Sequence, residues 1–186
     1  MTHFLEVTCG QLTDIDIAEK VMDMGKSWGK EPTLLRKDIR GFIANRLMYA
    51  VYREALALIE NGHTNLIDAD KVFRYDVGSW ITVMGIFQRI GFMGAENFEQ
   101  AFKQLIGKLS NQEEVSPMME KMVEQNAKGI HNQFGLYPYN KVQAKAWEEA
   151  FARFNQDIYH LALRYRECNW ANISDNKEEQ QVIHAS

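Results

Sequence analysis

Apolar and polar residues alternate in FLEVTCG, residues 4–10, and the run ends in glycine, which predicts a short β-strand. Beyond it, Ile15, Ala18, Val21 and Met22 recur at helical spacing, with Thr13 or Asp14 as a cap and Gly29 as the stop. EPTLLRKD, residues 31–38, reads as a second strand with Pro32 at its start, where no ladder donor is needed. Residues 1–38 are therefore expected to form β-α-β, a two-stranded unit that is marginal alone in water.

From Gly41 the alternation disappears and helical periods take over. Ile43, Leu47, Val51, Ala55 and Leu58 form one apolar row of a helix from about Phe42 to Glu60, and Asn61-Gly62 supplies a left-handed stop. Tyr49, Tyr52 and Leu56 form a second row, so this helix is expected to be covered on more than one side. NLIDADKVFRY reads as a short helix, and SWITVMGIFQRIGFMG as an apolar one broken by glycines. AENFEQAFKQLIGKL carries acids early and lysines late, in the sense the helix dipole favours. VSPMMEKMVEQNAKG is a further helix with Ser116 as cap and Pro117 in first position. IHNQFGLYPYN is a turn-rich loop before a long amphipathic helix from Lys141 to about Cys168, and the polar end of the chain is expected to fray. The layout is a short α/β leader followed by an all-helical body of five or six helices.

Composition narrows the class only a little. The 186 residues are 46% hydrophobic and 25% charged, ordinary for a globular chain. A net charge of -4 with no basic run argues against nucleic acid. No apolar window reaches the roughly 20 residues that cross a bilayer, and MTHFLEVTCG does not have the pattern of a secretory signal. Cys9 and Cys168 stand far apart and suit reduced thiols in a cytoplasmic protein. Five scattered histidines without HxxxH spacing offer no metal site.

One polar feature stands out in the apolar 42–60 helix: Asn45 and Arg46, side by side in its first turns. Asn45 lies about four residues inside the helix, past the capping position, so a cap does not explain it. Arg46 reads as structural, pairing with an acidic neighbour or covering the helix with its stem.

Leu5-Glu6-Val7 on a strand, GKEP before a second strand, then GFIANRL (Gly41–Leu47) continued by Glu54, Ala55 and Gly62, resembles the 3-hydroxyacyl-CoA dehydrogenase family. Asp68 and Asp70 sit where that family has a D-x-D-like helix, and FGLYPY (Phe134–Tyr139) is similar to its GKGFYxY loop, with Gly135, Tyr137 and Tyr139 in register. Departures are Arg40 where the family has proline, and Gly85-Ile86-Phe87-Gln88 where it has GPxE. The Gly78 to Gly85 spacing with Trp80 between resembles the subgroup that includes lambda-crystallin and L-gulonate 3-dehydrogenase, which uses 3-hydroxy acids without coenzyme A.

The resemblance implies a helical domain of the 6-phosphogluconate dehydrogenase C-terminal-like type over residues 39–170. Residues 1–38 would be the edge of a Rossmann-like dinucleotide domain and 171–186 a polar tail. The activity implied is NAD-dependent oxidation of a 3-hydroxyacyl-CoA by a homodimer, with a free 3-hydroxy acid as the alternative substrate and this chain inactive alone. NAD would be held elsewhere, since this chain has no GxGxxG after a strand. The resemblance makes Glu6 the carboxylate that orients a catalytic histidine, and Asn45 the amide that donates to the substrate oxygen. His3 is too close to Glu6 and lacks the Asn-Pro that follows the family's histidine. A non-catalytic helical oligomerisation module is the alternative.

Overall fold

β1 (Phe4–Thr8) and β2 (Glu31–Leu35) pair in parallel, with Leu5 opposite Pro32 and Val7 opposite Leu34. Parallel pairing requires a crossover, and α1 (Ile15–Ser27) provides it. The computed structural model describes residues 3–165. Cys168 and the expected polar tail lie outside the described residues. The chain continues as α2 (Phe42–Glu60), α3 (Leu66–Val72), a π-helical turn (Phe73–Val77), α4 (Gly78–Ile81), α5 (Ile86–Met93) and α6 (Ala95–Leu105). A 3-10 turn (Ile106–Lys108), α7 (Pro117–Glu124) and α8 (Lys141–Arg164) follow. The protein is thus mainly helical behind a β-α-β leader, as its periodicity suggests.

Two compact units divide the chain. One holds the residues up to Asn65 with Ser110–Glu149; the other holds Leu66–Leu109 with the residues from Ala150 onward.

In the first unit, Asp14 caps α1, its Oδ1 accepting from Asp16 N at 2.9 Å. The helix lies close on the strands because Gly25 faces them: a Cβ there would stand 2.8 Å from Leu5 Cδ2 and 3.5 Å from Pro32 Cβ. α2 ends in a Schellman arrangement. His63 N donates to Leu58 O at 2.9 Å and Gly62 N to Ile59 O at 3.0 Å, with Gly62 at φ 73°.

Carboxylates of α2 then hold the returning segment. Glu54 Oε2 accepts from Ser110 N at 2.6 Å. Ser116 does precede α7, with Pro117 in first position, but its hydroxyl donates to Glu60 instead of capping its own helix. Glu60 Oε1 also accepts from Met118 N at 3.1 Å, so Glu60 performs the capping that Ser116 gives up. Asn140 and Gln143 exchange bonds of 3.0 and 2.8 Å and start α8 with a capping box.

In the second unit the short helix and broken apolar run expected from the sequence join into a nearly continuous α3, π-turn and α4. Gly78 N bonds to Phe73 O across the π-turn. Only glycine fits there, because a Cβ would stand 2.3 Å from that oxygen.

The described residues bury few apolar side chains: Cys9, Ala18 and Ala144. The expectation that α2 is covered on several sides is not met among them. No residue of α2 is buried, and Tyr49 is 69% exposed. In the second apolar row Tyr49 and Tyr52 are exposed and Leu56 is half-buried, while β1 and the 110–118 segment engage α2 through carboxylates at its start, middle and end. No helix among the described residues is long and apolar enough to cross a membrane.

Candidate active site

The side chain of Glu6 is half-buried on β1 and reaches the start of α2. Its Oε1 accepts from Ile43 N at 2.8 Å and from Ala44 N at 3.2 Å. These are the second and third residues of the helix, whose amides have no intrahelical acceptor. The residue that would normally serve them, the N-cap, is Gly41, which has no side chain. A carboxylate 37 residues earlier takes its place, and its negative charge suits the positive end of the helix.

The backbone here is unusual. Gly41 has φ 88°, and Phe42 follows at φ 51°. A bulky side chain in the left-handed region costs on the order of 1–2 kcal/mol, and such strain concentrates at functional sites. Nothing in the spacing of apolar residues announces Phe42; the RGF sequence, with glycine before it, is the one local sign.

Asn45 follows Ala44 directly and is the fourth residue of the helix. It is exposed, and no described residue hydrogen-bonds to its side chain. Gly41 is called for by its φ of 88°, since a Cβ there would meet Asn45 Cβ only at an ordinary 3.9 Å. Arg46 is exposed, with its Cγ 3.5 Å from the same point, its stem lying back over Gly41. Glu6 Oε2 accepts no hydrogen bond among the described residues. One short helix start therefore joins an anchored carboxylate with a free oxygen to an unengaged amide.

His3 belongs to another environment. It precedes β1, and its Nδ1 lies 3.1 Å from Gly29 O. FGLYPY lies in a self-bonded loop: Asn132 Oδ1 accepts from Lys128 N at 2.9 Å and Phe134 N at 3.3 Å, and Asn132 Nδ2 donates to Asn126 O at 2.7 Å. Gly129 and Phe134 bridge, and a Cβ on Gly135 would stand 3.3 Å from Gly129 Cα. Asp68 pairs with Lys71 at 2.7 Å on its own helix. Among the described residues no three His, Cys, Asp or Glu side chains gather as a metal site.

The strand-helix turn after β1 does not suit a dinucleotide. Asp14 caps α1 and Asp16 occupies its first turn, so two carboxylates stand where a pyrophosphate needs bare amides.

Comparison with known proteins gives the family. The model of the 3-hydroxyacyl-CoA dehydrogenase C-terminal domain matches residues 41–139, starting at the glycine that opens α2. The chain is 30% identical over 149 residues to 5-formyl-3-hydroxy-2-methylpyridine 4-carboxylate 5-dehydrogenase of Mesorhizobium japonicum, covering 80% of this chain and 48% of that protein. It is 32% identical over 103 residues to L-carnitine dehydrogenase of Burkholderia mallei, covering 55% of this chain and 32% of the relative. A crystal structure of the pyridine-carboxylate dehydrogenase, described as an NAD+ dependent dismutase, superposes with a TM-score of 0.83 at 28% identity over 86% of this chain and 52% of that one. A 3-hydroxyacyl-CoA dehydrogenase from Archaeoglobus fulgidus shares the fold, with a TM-score of 0.53 at 23% identity over 88% of this chain and 56% of that one. The chain spans about half the length of the first of these relatives and less of the second. With its family match running from the strained start of α2 through the FGLYPY loop, the chain belongs to the 3-hydroxyacyl-CoA dehydrogenase family and carries that family's C-terminal domain.

Proposed function

We propose that the chain is the C-terminal part of an NAD-dependent dehydrogenase that oxidises the secondary alcohol of a 3-hydroxy acid. Residues 1–38 are the edge of its dinucleotide domain and residues 39–170 its helical substrate and dimerisation domain. The observation that carries the reading is the Glu6 carboxylate bonded to the amides of Ile43 and Ala44, immediately before the unengaged Asn45.

Oxidation of CH–OH removes a hydride from carbon and a proton from oxygen. The residues in this chain serve the oxygen side. Asn45 donates an amide N–H to the substrate oxygen and adds no charge. Glu6 Oε2 accepts from the imidazole of a histidine base, sets its tautomer and stabilises the imidazolium that forms when the proton arrives. Neither role needs metal, and NAD, held by residues outside this sequence, is the hydride acceptor. The exposed apolar side chains of α2, among them Leu47, Met48 and Tyr52, form the surface through which two copies associate.

A free acid is the first choice of substrate, because the relative matched over most of this chain is named for a pyridine carboxylate. A 3-hydroxyacyl-CoA is the second reading, favoured by the family description. The test is NAD reduction by the full-length enzyme with free 3-hydroxybutyrate and L-gulonate against 3-hydroxybutyryl-CoA. Turnover of a free acid is expected; turnover confined to the thioester selects the second reading, and no NAD reduction with any of them refutes both.

A further inference from the structure

Phe42, the first residue of α2, has φ 51°, where a helical residue has about −63°. The turn that delivers it is tight. Phe42 N donates to Ile39 O at 3.1 Å, and Gly41, at φ 88° and ψ 0°, has the backbone of the second central residue of a type II turn. Glycine takes that conformation without steric cost, whereas phenylalanine at the next left-handed position does not. Burial of the ring does not offset the cost, since Phe42 is 42% exposed. Such an outlier persists only where the surrounding structure holds it. Here Glu6 supplies the hold, its Oε1 accepting from the next two amides, Ile43 N and Ala44 N.

The hold works in both directions. β2 is fixed to β1 by their ladder, with Glu6 opposite Thr33, and residues 36–41 join β2 to α2. The φ torsion of Phe42 therefore sets the direction in which α2 leaves the strand that carries Glu6. Returning it to the helical value would rotate the helix about the Phe42 N–Cα bond by about 110°. The Ile43 and Ala44 amides would swing away from Oε1, and the carboxylate would lose the two bonds that fix its second oxygen. β1, β2 and α2 all lie in one compact unit, so this coupling is internal to it.

We propose that Phe42 is a positioning residue: its left-handed backbone, and not its ring, aims the two amides that hold Glu6 and so fixes Oε2 for the imidazole of the base. This inference rests on the orienting role of Glu6 given above and adds what keeps that carboxylate in place. The experiment compares three replacements in the full-length enzyme, Phe42→Asn, Phe42→Ala and Phe42→Val. All remove the ring, and their cost in the left-handed region rises in that order. For each, and for Glu6→Gln, the measurements are kcat, the acidic limb of the pH–rate profile, and hydrogen exchange at Ile43 and Ala44. Phe42→Asn should keep kcat within about threefold of wild type with the limb in place. Phe42→Val should lower kcat on the order of 10- to 100-fold, the scale of a misplaced catalytic group. It should also speed exchange at both amides and move the limb to lower pH, as Glu6→Gln does. Phe42→Ala should fall between, and it serves as the test should Phe42→Val fail to fold. Lost stability alone would not move the limb. If Glu6→Gln moves the limb and the folded Phe42→Val or Phe42→Ala enzyme does not, this inference is overturned and the role of Glu6 stands. A loss in Phe42→Asn as large as in Phe42→Val also overturns it, because the ring would then be what counts. An unmoved limb in Glu6→Gln overturns the role of Glu6 and this inference with it.

Discussion

Replacing Glu6 by alanine removes the acceptor shared by the Ile43 and Ala44 amides, at a helix whose N-cap glycine offers no substitute. Losing a capping side chain costs about 1–2 kcal/mol. Losing its charge at a helix N-terminus adds about 0.3–1 kcal/mol. Glu6→Ala should therefore destabilise the start of α2 by about 2 kcal/mol, and Glu6→Gln, which keeps a neutral acceptor, by about 0.5–1 kcal/mol. The assay is native-state hydrogen exchange at the two amides, alongside denaturant unfolding of all three proteins. About 2 kcal/mol of lost local stability corresponds to roughly 30-fold faster exchange at Ile43 and Ala44 in the alanine variant. The left-handed Phe42 should amplify the effect, because those two bonds hold a strained turn in place. Equal exchange in wild type and Glu6→Ala would refute the capping argument. Equal losses in the alanine and glutamine variants would show that charge alone, and not the hydrogen-bond geometry, stabilises this helix start.

Further outcomes follow from the same structure. Gly25→Val places branched carbons against Leu5 and Pro32 and should cost about 1–3 kcal/mol by overpacking, read in denaturant midpoints. Glu60→Ala leaves the buried Ser116 hydroxyl and the Met118 amide without their acceptor and should cost about 1–3 kcal/mol. The double variant with Ser116→Ala should lose clearly less than the sum, which a double-mutant cycle measures. In the full-length enzyme, Glu6→Gln should lower turnover and move the acidic limb of the pH–rate profile to lower pH. Removing a negative charge beside the imidazole weakens its hold on the proton, so the base stays free to lower pH; an unmoved limb would leave Glu6 as a cap only.

How much of this was legible in the sequence depends on how local each cause is. α2 was readable because its apolar rows repeat at helical spacing and Asn61-Gly62 forms the stop seen at His63 and Gly62. β1, α1 and β2 were readable for the same reason, through alternation and the Asp14 cap. The π-turn at Phe73–Val77 was not, since one i to i+5 turn has no period of its own; its trace is Gly78, required by a contact rather than by a pattern. The capping of α2 by Glu6 and of α7 by Glu60 spans 37 and 58 residues, and no local rule connects such positions. The Arg89–Trp80 stack crosses from one helix to the next, so the sequence indicated the aromatic residue without its cation. Glu6 and Asn45 stood out through family motifs, while the strained backbone between Gly41 and Phe42 became visible only in three dimensions.

The side chain of Asn45 hydrogen-bonds to no described residue and is exposed, so its substitution should leave the fold intact and isolate its chemistry. The decisive measurement is kcat of full-length Asn45→Ala, with thermal stability and NAD affinity measured on the same samples. An amide that stabilises the developing charge on the substrate oxygen gives a loss on the order of 10²- to 10³-fold in kcat, with stability and NAD binding unchanged. A folded variant that binds NAD and turns over within about twofold of wild type, far short of the oxyanion-donor loss, would remove Asn45 from the site and contradict the account.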